Sequence, residues 1–275
     1  MSELPTSKTG RSAADVAREA AHKASEIILE RYRALERGTP IAKTVKGRGN
    51  YVTETDLASE LAIMRVLRDE FPEIAVLSEE TAATVENWDE GWLWVVDPID
   101  GTSNFSRGIP SFAVNIALCE GGEPVLGQTY QPVTGAEFFA TKGDGLFVNG
   151  ERATVSPVTE LSECLLGIGL GYEYDRAKMI LELLTEMWPG VMMIQNIGTA
   201  AIGLAYAASG RFDLYVHSLL FPWDMAAGIV QIREGGGAVM DREGGPISIY
   251  SEGIIAGAAK PVAEFAEKTR GRRWR

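Results

Sequence analysis

The stretch Trp92-Leu93-Trp94-Val95-Val96-Asp97-Pro98-Ile99-Asp100-Gly101-Thr102-Ser103-Asn104-Phe105 carries the reading of this chain. Trp92 to Val96 is a short, β-prone apolar run without polar alternation, the pattern of a strand buried on both faces. It ends in two carboxylates, Asp97 and Asp100. Two such charges ~4 Å apart repel by about 1 kcal/mol in water and about 4 kcal/mol at an effective dielectric of 20. A fold tolerates that when a cation sits between them. Gly101-Thr102 follows with backbone N–H groups and a hydroxyl at a predicted helix start, where an anion is welcome. The stretch therefore points to a cation beside a phosphate.

Composition sets the frame around it. A chain of 275 residues, 45% hydrophobic, can build a sizeable core. No window approaches the length of an apolar membrane span, and Met1-Ser2-Glu3-Leu4-Pro5 has no secretory character. Cys119 and Cys164 lie in apolar runs and read as reduced core thiols. A cytoplasmic protein is expected. The formal charge of −12 argues against a nucleic-acid coat and would repel an anionic substrate unless bound divalent cations reverse the local field. The basic C-terminus, Lys268 to Arg275, reads as a solvated tail, with a nucleic-acid foot as the weaker alternative.

Outward from the central stretch, helices are predicted over Ser12–Tyr32 and from Thr53–Asp56 to Pro72, the second with Leu57, Leu61, Met64, Leu67 and Phe71 as its apolar stripe. Gly38 to Tyr51 reads as a loop, and Ile74 to Ser78 as a strand running into Glu79-Glu80. Residues 113–150 read as an antiparallel meander broken by Gly-rich turns. Beyond Pro157 strands and helices alternate: strands Leu165–Leu170, Val191–Ile194, Phe212–Val216 and Ile254–Gly257, and helices Asp175–Met187, Thr199–Ser209, Trp223–Arg233 and Pro261–Thr269. This order predicts an α/β layered sandwich rather than a simple open sheet. A boundary at Gly143–Pro157 would divide one domain, residues 1–275, into a metal-binding lobe over about 1–150 and a substrate lobe over about 151–275.

Four element ends carry acids: Thr53-Glu54-Thr55-Asp56, Ser78-Glu79-Glu80, Asp97/Asp100 and Trp223-Asp224. Taken singly, Asp56 and Asp224 read first as helix caps, and Glu79-Glu80 first as a solvated turn. Taken together they offer the hard oxygen ligands that Mg²⁺ prefers, and two such ions need one bridging carboxylate.

Asp97-Pro98-Ile99-Asp100-Gly101-Thr102-Ser103-Asn104-Phe105 resembles the D-P-I-D-G-T-x-N-F signature of the inositol monophosphatase family, and Trp223-Asp224-Met225-Ala226-Ala227-Gly228 its W-D-x-A-A-G signature. Val52–Asp56, Ser78–Glu80 and Gly198–Ala201 fall in the family's order and approximate spacing. The resemblance implies an αβαβα sandwich and a Mg²⁺-dependent phosphomonoesterase that is inhibited by lithium and forms a homodimer. Its substrate would be a small phosphorylated polyol or sugar. Position by position, Glu79, Asp97 and the Ile99 carbonyl would hold a first Mg²⁺. Asp97, Asp100 and Asp224 would hold a second, and Glu79 would contact a third through water. Thr102, bonded to Asp56, would orient the attacking water, with Glu79 in the catalytic set. Gly101 and Thr102 would hold the phosphate, and Asp100, Gly198, Thr199, Ala200, His217 and Asp224 would complete the substrate contacts.

The chain departs from the family pattern in its second half. His217 stands where many inositol-specific members carry a glutamate, and Gln195 where animal members carry an arginine. His217 reads either as a substrate contact or as a strand-end residue. Lys46 is a candidate phosphate-side lysine in a loop one residue shorter than the family form. The superfamily also offers nucleotide 3′-phosphatase, fructose-1,6-bisphosphatase and histidinol-phosphatase activities, and a catalytically idle regulatory or RNA-binding role stands outside them.

Overall fold

The computed structural model describes residues 4–47, 50–81 and 90–274. Trp92–Asp100 (β4) is the axis of the molecule. Leu93 and Val95 face one core while Trp94 and Val96 face another, which is the two-sided burial that the unalternating run requires. β4 lies in a seven-stranded sheet with β3 (Ala75–Ser78) parallel on one side. On the other side the antiparallel meander runs through β5 (Ala113–Glu120), β6 (Glu123–Gln131), β7 (Ala136–Thr141), β8 (Gly145–Val148) and β9 (Glu151–Ala153).

Helices α1 (Ala13–Glu36) and α2 (Glu54–Glu70) cover one face of this sheet. On its other face lie α5 (Ala200–Ala208) and α6 (Pro222–Glu234), sandwiched against a five-stranded sheet. That second sheet has the order β11 (Met193–Asn196), β10 (Leu165–Gly169), β12 (Leu214–His217), β14 (Ile254–Gly257), β13 (Ala238–Asp241). Helices α4 (Tyr174–Met187) and α7 (Ala259–Lys268) close its outer face. The layers run αβαβα. Contact between the middle layers is close: a Cβ at Gly127 on β6 would lie 2.4 Å from the Ala227 carbonyl on α6.

Four expectations need correction. The segment read as a loop forms a hairpin, β1 (Lys43–Gly47) with β2 (Asn50–Thr53), antiparallel across positions 48–49, which lie outside the described residues. Leu57 and Leu61 are exposed. Helix α2 instead buries Thr55, Asp56, Ser59, Glu60, Ile63, Met64 and Leu67, a face whose first turns are polar. The strand β13 was not expected. The basic C-terminus is not a free tail: Trp274 is buried edge-on against Phe265, their ring centroids 5.5 Å apart, and Arg272 pairs with Glu186 at 2.7 Å. Cys119 and Cys164 are buried free thiols, as expected, and burial pushes each up to about 12. No helix among the described residues is long and apolar enough to cross a membrane.

Candidate functional site

The bend in β4 builds the site. Asp97 pairs with Asn115 and Asp100 with Ala113, so Pro98-Ile99 forms a bulge where a proline costs the ladder nothing. The bulge turns both acids toward the same cavity. The Ile99 N–H donates to Asp97 Oδ1 at 3.0 Å and fixes its rotamer. Gly101 then turns the chain in the left-handed region at φ 94°, where a Cβ would also stand 3.0 Å from the Ser111 carbonyl. Only glycine suits that step. The short helix α3 (Thr102–Phe105) follows.

Asp224 comes from the first turn of α6, where its Oδ2 accepts the Phe221 N–H at 2.7 Å. Ligand oxygens of Asp97, Asp100 and Asp224 all lie within 4.8 Å of one another. Burial, followed by repulsion from Glu79 and then from Asp100 and Asp224, pushes Asp97 well above the carboxylate range. Asp224 is raised well too, by burial and then Asp100. Asp100 rises only to about 6, because Thr199 Oγ1 and the Ala201 N–H (2.8 Å) at the start of α5 donate to its Oδ2 against the burial that raises it. Two buried acids and one half-buried acid converge here, and their like charges repel. Their all-oxygen donor set fits a hard divalent ion.

Thr102 Oγ1 lies 2.9 Å from Asp56 Oδ1 and 3.0 Å from the Ile99 carbonyl. Asp56 is the third residue of α2 and closes a capping box with Thr53, whose N–H donates to Oδ2 at 2.9 Å. Asp56 thus serves the helix cap through Oδ2 and meets the Thr102 hydroxyl through Oδ1. Glu79 lines the cavity, but its carboxylate accepts from Lys46 Nζ at 3.1 Å. Lys46 also binds Glu80 at 2.7 Å; burial lifts Glu80 to about 7, while the two acids raise Lys46 against its own burial.

Asp97, Ile99, Asp100, Gly101, Thr102, Gly198, Thr199, Ala200, His217, Glu79 and Asp224 all line one cavity of about 580 Å³; Asp56 stands behind Thr102. Gly198 packs on Asn104, whose amide donates to the Ser111 and Ile197 carbonyls at 2.8 and 2.9 Å. Gln195 is exposed outside this lining.

The sequence profile of the inositol monophosphatase family matches residues 11–273. The chain belongs to this family. It is 34% identical to "Nus factor SuhB" of Pasteurella multocida (strain Pm70) over 92% of this chain and 94% of that protein. It is also 34% identical to "Phosphatase IMPL1, chloroplastic" of Arabidopsis thaliana, over 86% of this chain and 64% of that protein. The crystal structure of the extragenic suppressor protein suhB from Bartonella henselae superposes with a TM-score of 0.84 at 33% identity, covering 94% and 98% of the two chains.

Within this inositol monophosphatase family member, His217 is a buried cavity residue as well as a strand end. Its Nδ1 accepts the Leu219 N–H at 3.2 Å, which leaves the proton on Nε2, and burial lowers it to about 4. Sequence reasoning missed one supporting chain. Asn115 Nδ2 donates to the Trp223 carbonyl at 2.7 Å, Thr129 Oγ1 donates to Asn115 Oδ1 at 2.8 Å, and Gln231 Nε2 donates to Thr129 Oγ1 at 3.0 Å. This buried chain ties the Asp224 end of α6 to the strand beside Asp97. Its only sequence signal is a polar residue inside the apolar run Ala113–Cys119.

Proposed function

We propose that this family member is a Mg²⁺-dependent phosphomonoesterase acting on a small phosphorylated polyol or sugar. The carrying observation is that the Thr102–Asp56 pair stands beside three convergent carboxylates whose ligand oxygens lie within 4.8 Å of one another. Asp97, Asp100 and Asp224, with Glu79 and the Ile99 carbonyl, are the residues that would hold the cations, and Asp97, at the centre of the acids, would serve more than one of them. When bound, divalent ions neutralise phosphate charge and activate water near neutral pH.

The chain's own residues do the rest. Thr102 donates its proton to Asp56, so an Oγ1 lone pair faces the cavity to accept a hydrogen bond from the attacking water and aim it. The backbone N–H groups of Gly101 and Thr102 hold phosphate oxygens. Asp100 is kept oriented by Thr199 and Ala201, and Asp224 by Phe221. Phosphoryl transfer asks mainly for positioning and charge neutralisation, so no histidine base is needed.

Phosphate release from inositol, sugar, histidinol and nucleotide phosphates at fixed Mg²⁺, with and without chelator, tests this reading. Release that is unaffected by chelator would overturn it. Lithium inhibition, scored against a potassium control, and a homodimer by light scattering are the accompanying expectations. The relatives named Nus factor supply a second reading, a non-catalytic factor; the complete carboxylate set favours catalysis.

A further inference from the structure

Two polar side chains of the cavity lining take no part in the phosphoryl steps. Tyr215 and His217 stand two residues apart on β12, so both face the same side of the second sheet, and both line the cavity. They are only 1% and 5% exposed. Their polar ends meet over Gly169 of β10: a Cβ there would lie 2.6 Å from His217 Nε2 and 2.8 Å from the Tyr215 hydroxyl. Other glycines make room for the same two rings. A Cβ at Gly171 would lie 3.1 Å from His217 Cε1, and one at Gly203 of α5 would lie 2.7 Å from Tyr215 Cζ.

Both polar ends are donors with nothing to donate to. The Leu219 N–H occupies His217 Nδ1 at 3.2 Å, and burial keeps the ring neutral, so Nε2 carries the only ring proton. Burial, and then Asp100 and Asp224, raise Tyr215 well above the ordinary phenol value, so its O–H also stays protonated. Among the described residues neither the Nε2–H nor the phenol meets an acceptor. Buried donors are rarely left so unless a ligand completes them. A convergent pair of neutral donors selects by hydrogen count. A carbonyl oxygen has two lone pairs and no proton, so it satisfies both at once. A hydroxyl brings a third hydrogen to share its own oxygen and the phenol's, and one donor then stays unpaired.

We infer that the substrate is an open-chain ketose phosphate whose carbonyl oxygen accepts from both Tyr215 and His217. This deepens the phosphatase reading and rests on it. The reaction is the same hydrolysis: water adds to phosphorus, the ester P–O bond breaks, and the ketose leaves as its free alcohol with a proton from that water. Tyr215 and His217 hold the organic half and set which one is taken. A site built around such donors discriminates against an analogue that leaves one of them unmade.

The test measures phosphate release in Mg²⁺ from two matched pairs, dihydroxyacetone phosphate against glycerol 3-phosphate and xylulose 5-phosphate against arabitol 5-phosphate. Each pair differs only in a carbonyl for a CHOH group, and phosphate on the terminal carbon keeps the pentulose from closing into a furanose. Glycerol 2-phosphate serves as a plain ester, and enzyme-free blanks correct for spontaneous phosphate loss. In at least one pair the ketone should exceed the polyol by about tenfold or more in kcat/KM. Tyr215→Phe removes the phenol O–H alone, and His217→Gln supplies an amide carbonyl that takes the polyol's proton. In each variant the advantage should shrink at least about threefold. Each ratio is taken within one protein, so a general loss of active enzyme cancels. If His217→Gln does not fold, Tyr215→Phe decides alone. Equal turnover in both pairs, preference for the polyol, or an advantage that survives either folded variant overturns the inference while leaving the phosphatase reading intact. No release from any ester, glycerol 2-phosphate included, is a different result: it removes the phosphatase reading and this inference with it.

Discussion

Asp97 is held in a contradiction at the scale of the single residue. It is fully enclosed, faces Asp100 and Asp224, and in the metal-free protein burial favours its protonated form. Asp97→Asn keeps the shape and the bond from the Ile99 N–H while removing the charge. Phosphate release should fall at least about 100-fold, since charge clamping of this kind is worth several kcal/mol. The metal-free variant should melt no lower than wild type, because one buried repulsion is gone. Wild-type turnover in Asp97→Asn would sink the shared-ligand assignment. Thr102→Val tests a different contribution, the aim of the water. A loss of about 10²-fold in kcat is expected, with the Mg²⁺ requirement little changed. A variant that lost Mg²⁺ affinity instead would move Thr102 from orienting the water to supporting the metal.

Elements decide whether those residues meet. The Asn115–Thr129–Gln231 chain is the tie between α6 and the seven-stranded sheet. Asn115→Ala leaves the Thr129 hydroxyl and the Trp223 carbonyl without their partner, a cost of about 1–3 kcal/mol, and should raise the Mg²⁺ concentration needed for half-maximal phosphate release by letting Asp224 drift. Loss of stability with an unchanged Mg²⁺ requirement would make the chain purely structural. At the C-terminus, removing residues 270–275 should lower the melting temperature by about 6 °C or more, as loss of a buried tryptophan costs about 3 kcal/mol. These elements also show what the sequence could reveal. The β4 run and its two acids were legible because burial on both faces leaves an unbroken apolar word followed by an abrupt change of chemistry. The β1–β2 hairpin was not, since β1 is exposed almost throughout and therefore carries no apolar alternation. The first turns of α2 were misread because Asp56, Ser59 and Glu60 are buried polar residues while Leu57 and Leu61 point outward; Met64 and Leu67 face inward as the stripe required. Trp274 gave a single aromatic among arginines, which composition reads as solvated.

Across the whole molecule, charge couples the fold to its cation. The chain carries −12 overall, and within the site burial lifts Glu80 to about 7, Asp100 to about 6, and Asp56, Asp97 and Asp224 upward as well. An acid raised in the folded state binds protons that the unfolded chain has already released. Between the ordinary carboxylate range near about 4 and the raised values, the native state therefore holds more protons, and stability must fall as pH rises through that window. His217 works in the opposite direction. Its folded value of about 4 lies below the ordinary value, so it costs stability as pH drops from about 6.5, but it is one group against five. The metal-free protein is accordingly expected to melt at a lower temperature at pH 8 than at pH 5.5. Mg²⁺ should reverse this, because a cation among ionised carboxylates binds only the folded state and binds best when they are deprotonated. Thermal melts at both pH values, with chelator and with millimolar Mg²⁺, measure the effect directly. The Mg²⁺-induced rise should be several degrees at pH 8, shrink markedly at pH 5.5, and nearly vanish in Asp97→Asn. An equal rise at both pH values would mean that the cation binds groups other than this buried cluster.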